Sequence, residues 1–163
     1  MGRSFLAFIK SFGYALHGIG HCIVHERNMR FHLAAAGFVL YFSRFYTLSR
    51  GEYLLLFGVI ALVLVCEALN TAVESTVDLC TSEYRENARI AKDAAAGAVL
   101  LSALFALAAG IILFWDPAAI GTIWKYHSRS PVRMGLLLAA LGGALVFIFL
   151  PNRMFAGEGR KKK

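Results

Sequence analysis

Tyr53-Leu-Leu-Leu-Phe-Gly-Val-Ile-Ala-Leu-Val-Leu-Val-Cys66 runs without a charge and then gives way to Glu67-Ala-Leu-Asn70-Thr71-Ala-Val-Glu74-Ser-Thr-Val-Asp78. Together they are long enough for a membrane-spanning helix, which needs roughly 20 predominantly apolar residues. The second half changes only one side of that helix. At 3.6 residues per turn, Glu67, Asn70, Thr71, Glu74 and Asp78 fall within about 100° of one another, while Ala68, Leu69, Ala72, Val73 and Val77 keep the other sides apolar. A helix merely emerging into water would be polar all round. A carboxylate near the bilayer centre costs on the order of 2.5–3.5 kcal/mol, so a one-sided acidic stripe must meet cations: a metal ion, or nearby Lys and Arg. Carboxylate oxygens suit magnesium, which takes one or two carboxylates plus substrate phosphates.

The rest of the chain agrees with a membrane setting. Of 163 residues, 58% are hydrophobic and 17% charged, against about 45–50% and 25% in soluble domains. That composition excludes disorder. Three cysteines, Cys22, Cys66 and Cys80, without CxxC spacing exclude a disulfide framework and read as buried free thiols. Four spans are expected: Phe31–Tyr46, interrupted near its end by Ser43 and Arg44; Tyr53–Leu79; Ala91–Trp115, closed by Trp115, Asp116 and Pro117; and Val132–Leu150, bounded by Pro131 and Pro151. Four spans leave no room for a water-soluble domain, so any chemistry is built on the helices.

Ahead of the spans, Phe5, Phe8, Ile9, Phe12, Leu16, Ile19 and Ile23 recur at the period of one helix face. The reading is an interfacial amphipathic helix over 1–30, lying in the membrane plane and loosened at Gly13, Gly18 and Gly20. With four spans, one side holds Arg3, Lys10, Arg27, Arg30, Arg85, Arg89, Lys92, Arg153, Arg160 and Lys161 to Lys163; the other holds Arg44, Arg50, Lys125, Arg129 and Arg133. Twelve cations against five put the first side in the cytoplasm. The net charge of +7 then faces anionic lipid, and no nucleic-acid motif accompanies it.

Two further constellations face the stripe. Lys92 and Asp93 stand at the mouth of the third span, after the loop Ser82-Glu83-Tyr84-Arg85 and before Ala94-Ala95-Ala96-Gly97-Ala98, small residues that permit close helix packing. Glu26 opens Glu26-Arg27-Asn28-Met29-Arg30-Phe31-His32, where its alternative reading is a surface pair with Arg30 at i+4. His17, His21, His25 and His32, spaced by four and seven, would share a helix side, as soft-metal ligands or as polar-face residues.

Glu67-xx-Asn70-xxx-Glu74-xxx-Asp78, followed by Ala91-Lys92-Asp93-xxx-Gly97-Ala98-Val99 and preceded by Gly13-Tyr14 and the Glu26–His32 element, resembles the bacterial integral-membrane diacylglycerol kinase and undecaprenol kinase family, over about residues 5–115. The resemblance implies an all-α membrane protein: a trimer of three-span protomers, active sites shared between neighbouring chains, and a magnesium–ATP cosubstrate. It implies that Glu26 and Glu74 hold the divalent metal, and that Glu67 takes the proton from the lipid hydroxyl with Asn70 fixing that hydroxyl. Nucleotide contacts fall to Tyr14, Glu26, Glu74, Glu83, Tyr84, Arg85, Lys92 and Asp93, and Asp78 supports the site from behind. The domains expected are the interfacial region 1–30, a three-span core 31–115, and 116–163 comprising a loop, a fourth span for packing or anchoring, and a basic tail. The family pattern usually ends after the third span, so 116–163 is an addition to it.

The expected activity is ATP-dependent phosphorylation of a membrane lipid alcohol on the cytoplasmic side of a bacterial cell membrane. The Arg27-Asn28-Met29-Arg30 wording around Glu26 resembles the undecaprenol-preferring branch of that family found in Gram-positive bacteria, and that resemblance implies undecaprenol first, with diacylglycerol as the alternative. Neither a GxxxxGK[ST] loop nor protein-kinase HRD and DFG elements occur. A transporter subunit is the competitor of another class, but it should show inverted repeats and midplane charges on several spans, which are absent here.

Overall fold

A computed structural model describes residues 2–81 and 83–151, with side chains from residue 6 onward. The chain forms α1 (Gly2–His25), α2 (Arg27–Ser43), α3 (Arg50–Cys80), α4 (Glu86–Phe114), α5 (Pro117–Ser128) and α6 (Pro131–Phe149). No strand occurs among the described residues. The basic tail, with Arg153, Arg160 and Lys161 to Lys163, and Ser82 of the 80s loop lie outside them, as do the side chains of Arg3 and Phe5.

Local chemistry sets the helix starts. Ser49 and Glu52 cap α3 reciprocally: the Glu52 amide donates to Ser49 Oγ at 3.3 Å, and the Ser49 amide donates to Glu52 Oε2 at 2.7 Å. Asp116 Oδ1 accepts the Ala118 and Ala119 amides ahead of α5, and Ser130 Oγ accepts the Arg133 amide ahead of α6. Each of these two helices has proline in its first turn, where the missing N–H costs nothing.

α3 and α4 form an antiparallel hairpin joined by the 80s loop, and α2 packs against α3 on one side and α6 on the other. Tyr46 donates its hydroxyl proton to the Phe114 carbonyl at 3.2 Å, so the ends of α2 and α4 meet. The opposite end gathers the α1–α2 junction and the end of α6, where Arg30 donates to the carbonyls of Ile148 and Leu150 at 3.3 Å each. The fold therefore has two distinct ends, as the charge asymmetry requires.

α3, α4 and α6 are long and apolar enough to cross a membrane. Their flanks are apolar and bare: Leu54, Leu101, Ile112, Leu136 and Val146 are all exposed. Such a surface belongs against lipid or other subunits. The expected first span differs. α2 extends back to Arg27 and stops at Ser43, and its 17 residues sit at the lower limit of about 17–25 for a spanning helix.

Three other expectations are corrected. α1 runs unbroken through Gly13, Gly18 and Gly20, none of which adopts positive φ or meets a close neighbour. The break falls at Glu26, whose backbone is extended (φ −102°, ψ 116°). Asp116–Ser130 is no loop, because the Asp116 cap and Pro117 start a 12-residue helix there. Of the three thiols, only Cys22 is buried; Cys66 is half-buried and Cys80 exposed at the end of α3.

Candidate active site

The stripe on α3 stays together. Glu67 is 1% exposed, and Asn70 and Thr71 are also buried. Thr71 donates its hydroxyl proton to the Glu67 carbonyl at 3.1 Å. One turn on, Asn70 Nδ2 donates to Glu74 Oε1 at 3.0 Å. That bond orients the amide. Glu67 Oε2 and Asn70 Oδ1 are buried with no hydrogen-bond partner. Buried polar atoms are nearly always paired, so two orphans one turn apart mark a place where a ligand atom is expected.

Glu26 joins them from the α1–α2 junction. Its side chain makes no capping bond to α2, and its charge, with that of Glu74, acts on Glu67. Two elements thus bring three carboxylates within electrostatic range of one another. Among the described residues the ion pairs are Arg85–Glu83, Arg89–Glu86, Arg89–Asp93 and Lys92–Asp78, and none reaches Glu26, Glu67 or Glu74. These side chains make a net anionic, oxygen-donor site. It suits a hard divalent cation carried in with phosphates better than a fully caged ion, and the described residues hold no ready group of three or more metal-ligating side chains.

Lys92 reaches across the hairpin from α4 to Asp78 on α3 at 2.5 Å. This bond holds the lysine at the end of the stripe. Beside it Arg89 spans Glu86 (2.6 Å) and Asp93 (3.0 Å), and Tyr84 donates its hydroxyl proton to Glu86 Oε2 at 3.0 Å. Asp93 is therefore tied to α4's own surface. Glu83, Tyr84 and Arg85 stand exposed on the loop, and Glu83 is held by Thr81. Tyr14 is 75% exposed on α1. One chain thus brings Glu26, Glu67, Asn70 and Glu74 together and leaves Tyr14, Asp93 and the 80s loop around them on the surface.

The histidines do not converge. The rings of His21 and His25 stack at 4.1 Å, and His25 Nδ1 bonds to the His21 carbonyl, while His32 follows the break on α2. Sequence reasoning missed Arg30. It is 2% exposed and donates to Ile23 and Val24 of α1 as well as to Ile148 and Leu150. A cation one residue before an apolar run was the signal, but its partners are backbone carbonyls, which leave no trace in side-chain patterning.

Comparison with known proteins places the core of the chain. The model of the prokaryotic diacylglycerol kinase family matches residues 13–114. The chain is 43% identical over 107 residues to undecaprenol kinase of Bacillus subtilis, covering 66% of this chain and 87% of that protein. It is 40% identical over 108 residues to diacylglycerol kinase of Synechocystis, covering 66% and 62%. It is 31% identical over 112 residues to diacylglycerol kinase of Escherichia coli, covering 69% and 92%. The family match ends with α4, so α5 and α6 lie beyond it.

Proposed function

Because the chain belongs to the prokaryotic diacylglycerol kinase family and is a membrane lipid kinase that uses ATP, we propose that its acceptor is undecaprenol, which it converts to undecaprenyl phosphate. Diacylglycerol, giving phosphatidic acid, is the second reading, because relatives of both names align over the same core. The Bacillus relative aligns at the higher identity and over most of its own length, which favours the first.

The observation that carries the mechanism is the buried Glu67 with Oε2 unpartnered beside Asn70 Oδ1. Glu67 is almost fully buried on α3, with an oxygen left open to take a partner. In this reading Asn70 helps to fix the position of the lipid headgroup, and Glu67 accepts the hydroxyl proton as the oxygen attacks the γ-phosphorus. The bond from that phosphorus to the β–γ bridging oxygen breaks, and ADP leaves. Positioning and charge neutralisation supply most of the catalysis of phosphoryl transfer. A bound magnesium ion would supply charge neutralisation for the nucleotide phosphates. Glu26 and Glu74 are the residues to hold it, and their oxygen donors, free of Lys and Arg partners, fit that ion. Lys92, held at the mouth by Asp78, meets the phosphates from the opposite side.

Tyr14, Glu83, Tyr84, Arg85 and Asp93 complete the nucleotide site in a homotrimer in which a neighbouring chain closes the pocket. Their exposure in a single chain supports that sharing. The acidic end faces the cytoplasm of the bacterial cell, by the twelve-to-five distribution of cations. α1 lies in the interface plane, with Leu6, Phe8, Ile9, Phe12, Leu16 and Ile19 all bare for lipid.

The test is transfer of radiolabelled γ-phosphate from ATP to undecaprenol and to diacylglycerol, side by side in the same micelles. Preferential labelling of undecaprenol supports the reading. Equal or greater labelling of diacylglycerol replaces it with the second.

A further inference from the structure

Away from the acidic site, at the other end of the bundle, a cavity opens between α2 and α6 with Tyr126 of α5 on its wall. It holds about 480 Å³ and is lined along its floor by Ala34, Gly37, Phe38, Leu136, Leu137 and Ala140. Arg44, Arg133, Tyr41 and Tyr126 close its mouth. Half of this wall belongs to the helices beyond the family match.

The mouth is built. The Arg44 guanidinium sits over the Tyr41 ring at 3.7 Å, and Arg133 sits over Tyr126 at 4.2 Å while donating to the Tyr126 carbonyl at 3.1 Å. The Phe45 and Tyr126 rings meet at 5.2 Å and join the two halves. Behind them His127, 2% exposed, accepts from or donates to Tyr41 Oη at 2.9 Å and bonds the Ile123 carbonyl through Nδ1 at 2.8 Å. Stacking on aromatic faces fixes both guanidinium planes and leaves N–H donors open.

This end also has cations without anions. It carries Arg44, Arg50, Lys125, Arg129 and Arg133, and none of them makes an ion pair among the described residues. Its carboxylates, Glu52 and Asp116, are both engaged as helix caps. Trp115 and Trp124 stand exposed at the same level, where a membrane–water boundary favours tryptophan. A second copy of the chain would bring the same cations and no free carboxylate to this depth, so it is a poor occupant. The complement is an anionic headgroup with an apolar tail.

We propose that the groove between α2 and α6 is a binding site for an anionic phospholipid, its phosphate held by Arg44 and Arg133 and one acyl chain lying on Gly37, Phe38, Leu137 and Ala140. The site stands apart from the acidic pocket, at the opposite end of the bundle. Its binding chemistry is independent of which lipid alcohol is phosphorylated.

The experiment uses the full chain, purified in a neutral maltoside detergent and titrated with dioleoylphosphatidylglycerol, dioleoylphosphatidylcholine or inorganic phosphate. Native mass spectrometry reads bound lipid and thermal unfolding reads stabilisation. Phosphatidylglycerol should bind and raise the midpoint, while phosphatidylcholine and inorganic phosphate should do neither at the same concentration. Replacing both arginines (Arg44→Gln with Arg133→Gln) should weaken phosphatidylglycerol at least about tenfold, as expected for loss of charge-assisted hydrogen bonds. Gly37→Phe keeps the arginines but fills the groove, where Gly37 has open space, and should also abolish binding. Lys125→Gln lies at the same end outside the groove and should bind as the parent does. Unchanged binding in both the arginine and Gly37 variants, equal loss in Lys125→Gln, or equal affinity for phosphatidylcholine would overturn the proposal. So would an unmodified protein that takes up no phosphatidylglycerol, the result expected if another copy covers the groove.

Discussion

Arg30, inside the segment matched by the family, donates from Nε to the carbonyl of Ile148, 118 residues away at the end of α6. The same guanidinium reaches Val24 at 2.8 Å and Ile23 at 3.4 Å. It ties the last turn of α1 to the last turn of α6 across the residue, Glu26, at which the chain bends. Helix C-termini leave carbonyls unsatisfied, and a cation there meets the negative ends of two helix dipoles at once.

Replacing Arg30 with alanine should therefore strand buried carbonyls of two helices. Hydrogen bonds to charged groups contribute about 1.5–3 kcal/mol each, so the thermal midpoint in micelles should fall by several degrees. Arg30→Lys should recover part of it, because lysine supplies the charge without the fork. A midpoint equal to the parent's in both variants would remove the staple from the account.

Glu67→Gln should behave in the opposite way. A buried carboxylate with one oxygen unpartnered costs stability, so the amide variant should unfold at the same temperature or higher. Phosphate transfer to lipid should drop by a factor of about 10²–10⁴, the usual worth of a positioned base. Radiolabel transfer and thermal unfolding on one preparation read both; persistent transfer would strip Glu67 of its role.

Glu74→Gln tests the metal-holding assignment. The Asn70 amide can still donate to the new side-chain oxygen, so the fold should hold. The magnesium concentration giving half-maximal transfer should rise about tenfold, and a saturation curve identical to the parent's would contradict the assignment.

The Lys92–Asp78 pair separates stability from binding. Half-exposed ion pairs contribute about 0.2–1 kcal/mol, so Asp78→Asn should barely move the unfolding midpoint. If Lys92 meets the nucleotide, Lys92→Met should raise KM for ATP more than Asp78→Asn does. Equal KM values in the parent and both variants would place Lys92 outside the nucleotide site.

Tyr41→Phe should destabilise the C-terminal helices by about 1–3 kcal/mol, since it leaves His127 Nε2 buried without its partner. Kinase turnover below the unfolding midpoint should stay close to the parent's, because the pair sits at the end away from the acidic pocket. Loss of turnover at low temperature would show the two ends to be coupled.

The legible parts of this molecule are those written in periodicity. The one-sided polar run of Glu67, Asn70, Thr71 and Glu74 on α3 comes straight from a 3.6-residue repeat, and its first three members are buried together. The break at Glu26 was misplaced to the glycines of α1. An α-helix stabilised by packing absorbs isolated glycines, each costing only about 1 kcal/mol, while nothing in the letters around Glu26 marks an extended residue. α5 hid behind its shortness: the Asp116–Pro117 start was read as a stop to α4, though the same dipeptide both ends one helix and begins the next. Tyr41 and His127 lie 86 residues apart, and long-range pairing of that kind has no local signature.

Glu67, Asn70, Glu74 and Asp78 all ride on one uninterrupted helix of 31 residues, so their heights are fixed like marks on a ruler standing in the bilayer, about 16 Å from first to last at 1.5 Å per residue. A lipid is then measured by how deep it carries its hydroxyl. An acceptor one turn too shallow meets Asn70 and Glu74 instead of Glu67, whatever its tail. Glu26 alone stands off that helix, at the extended residue between α1 and α2, so on the proposed reading a change of acceptor in this scaffold should begin with that bend and leave the ruler untouched.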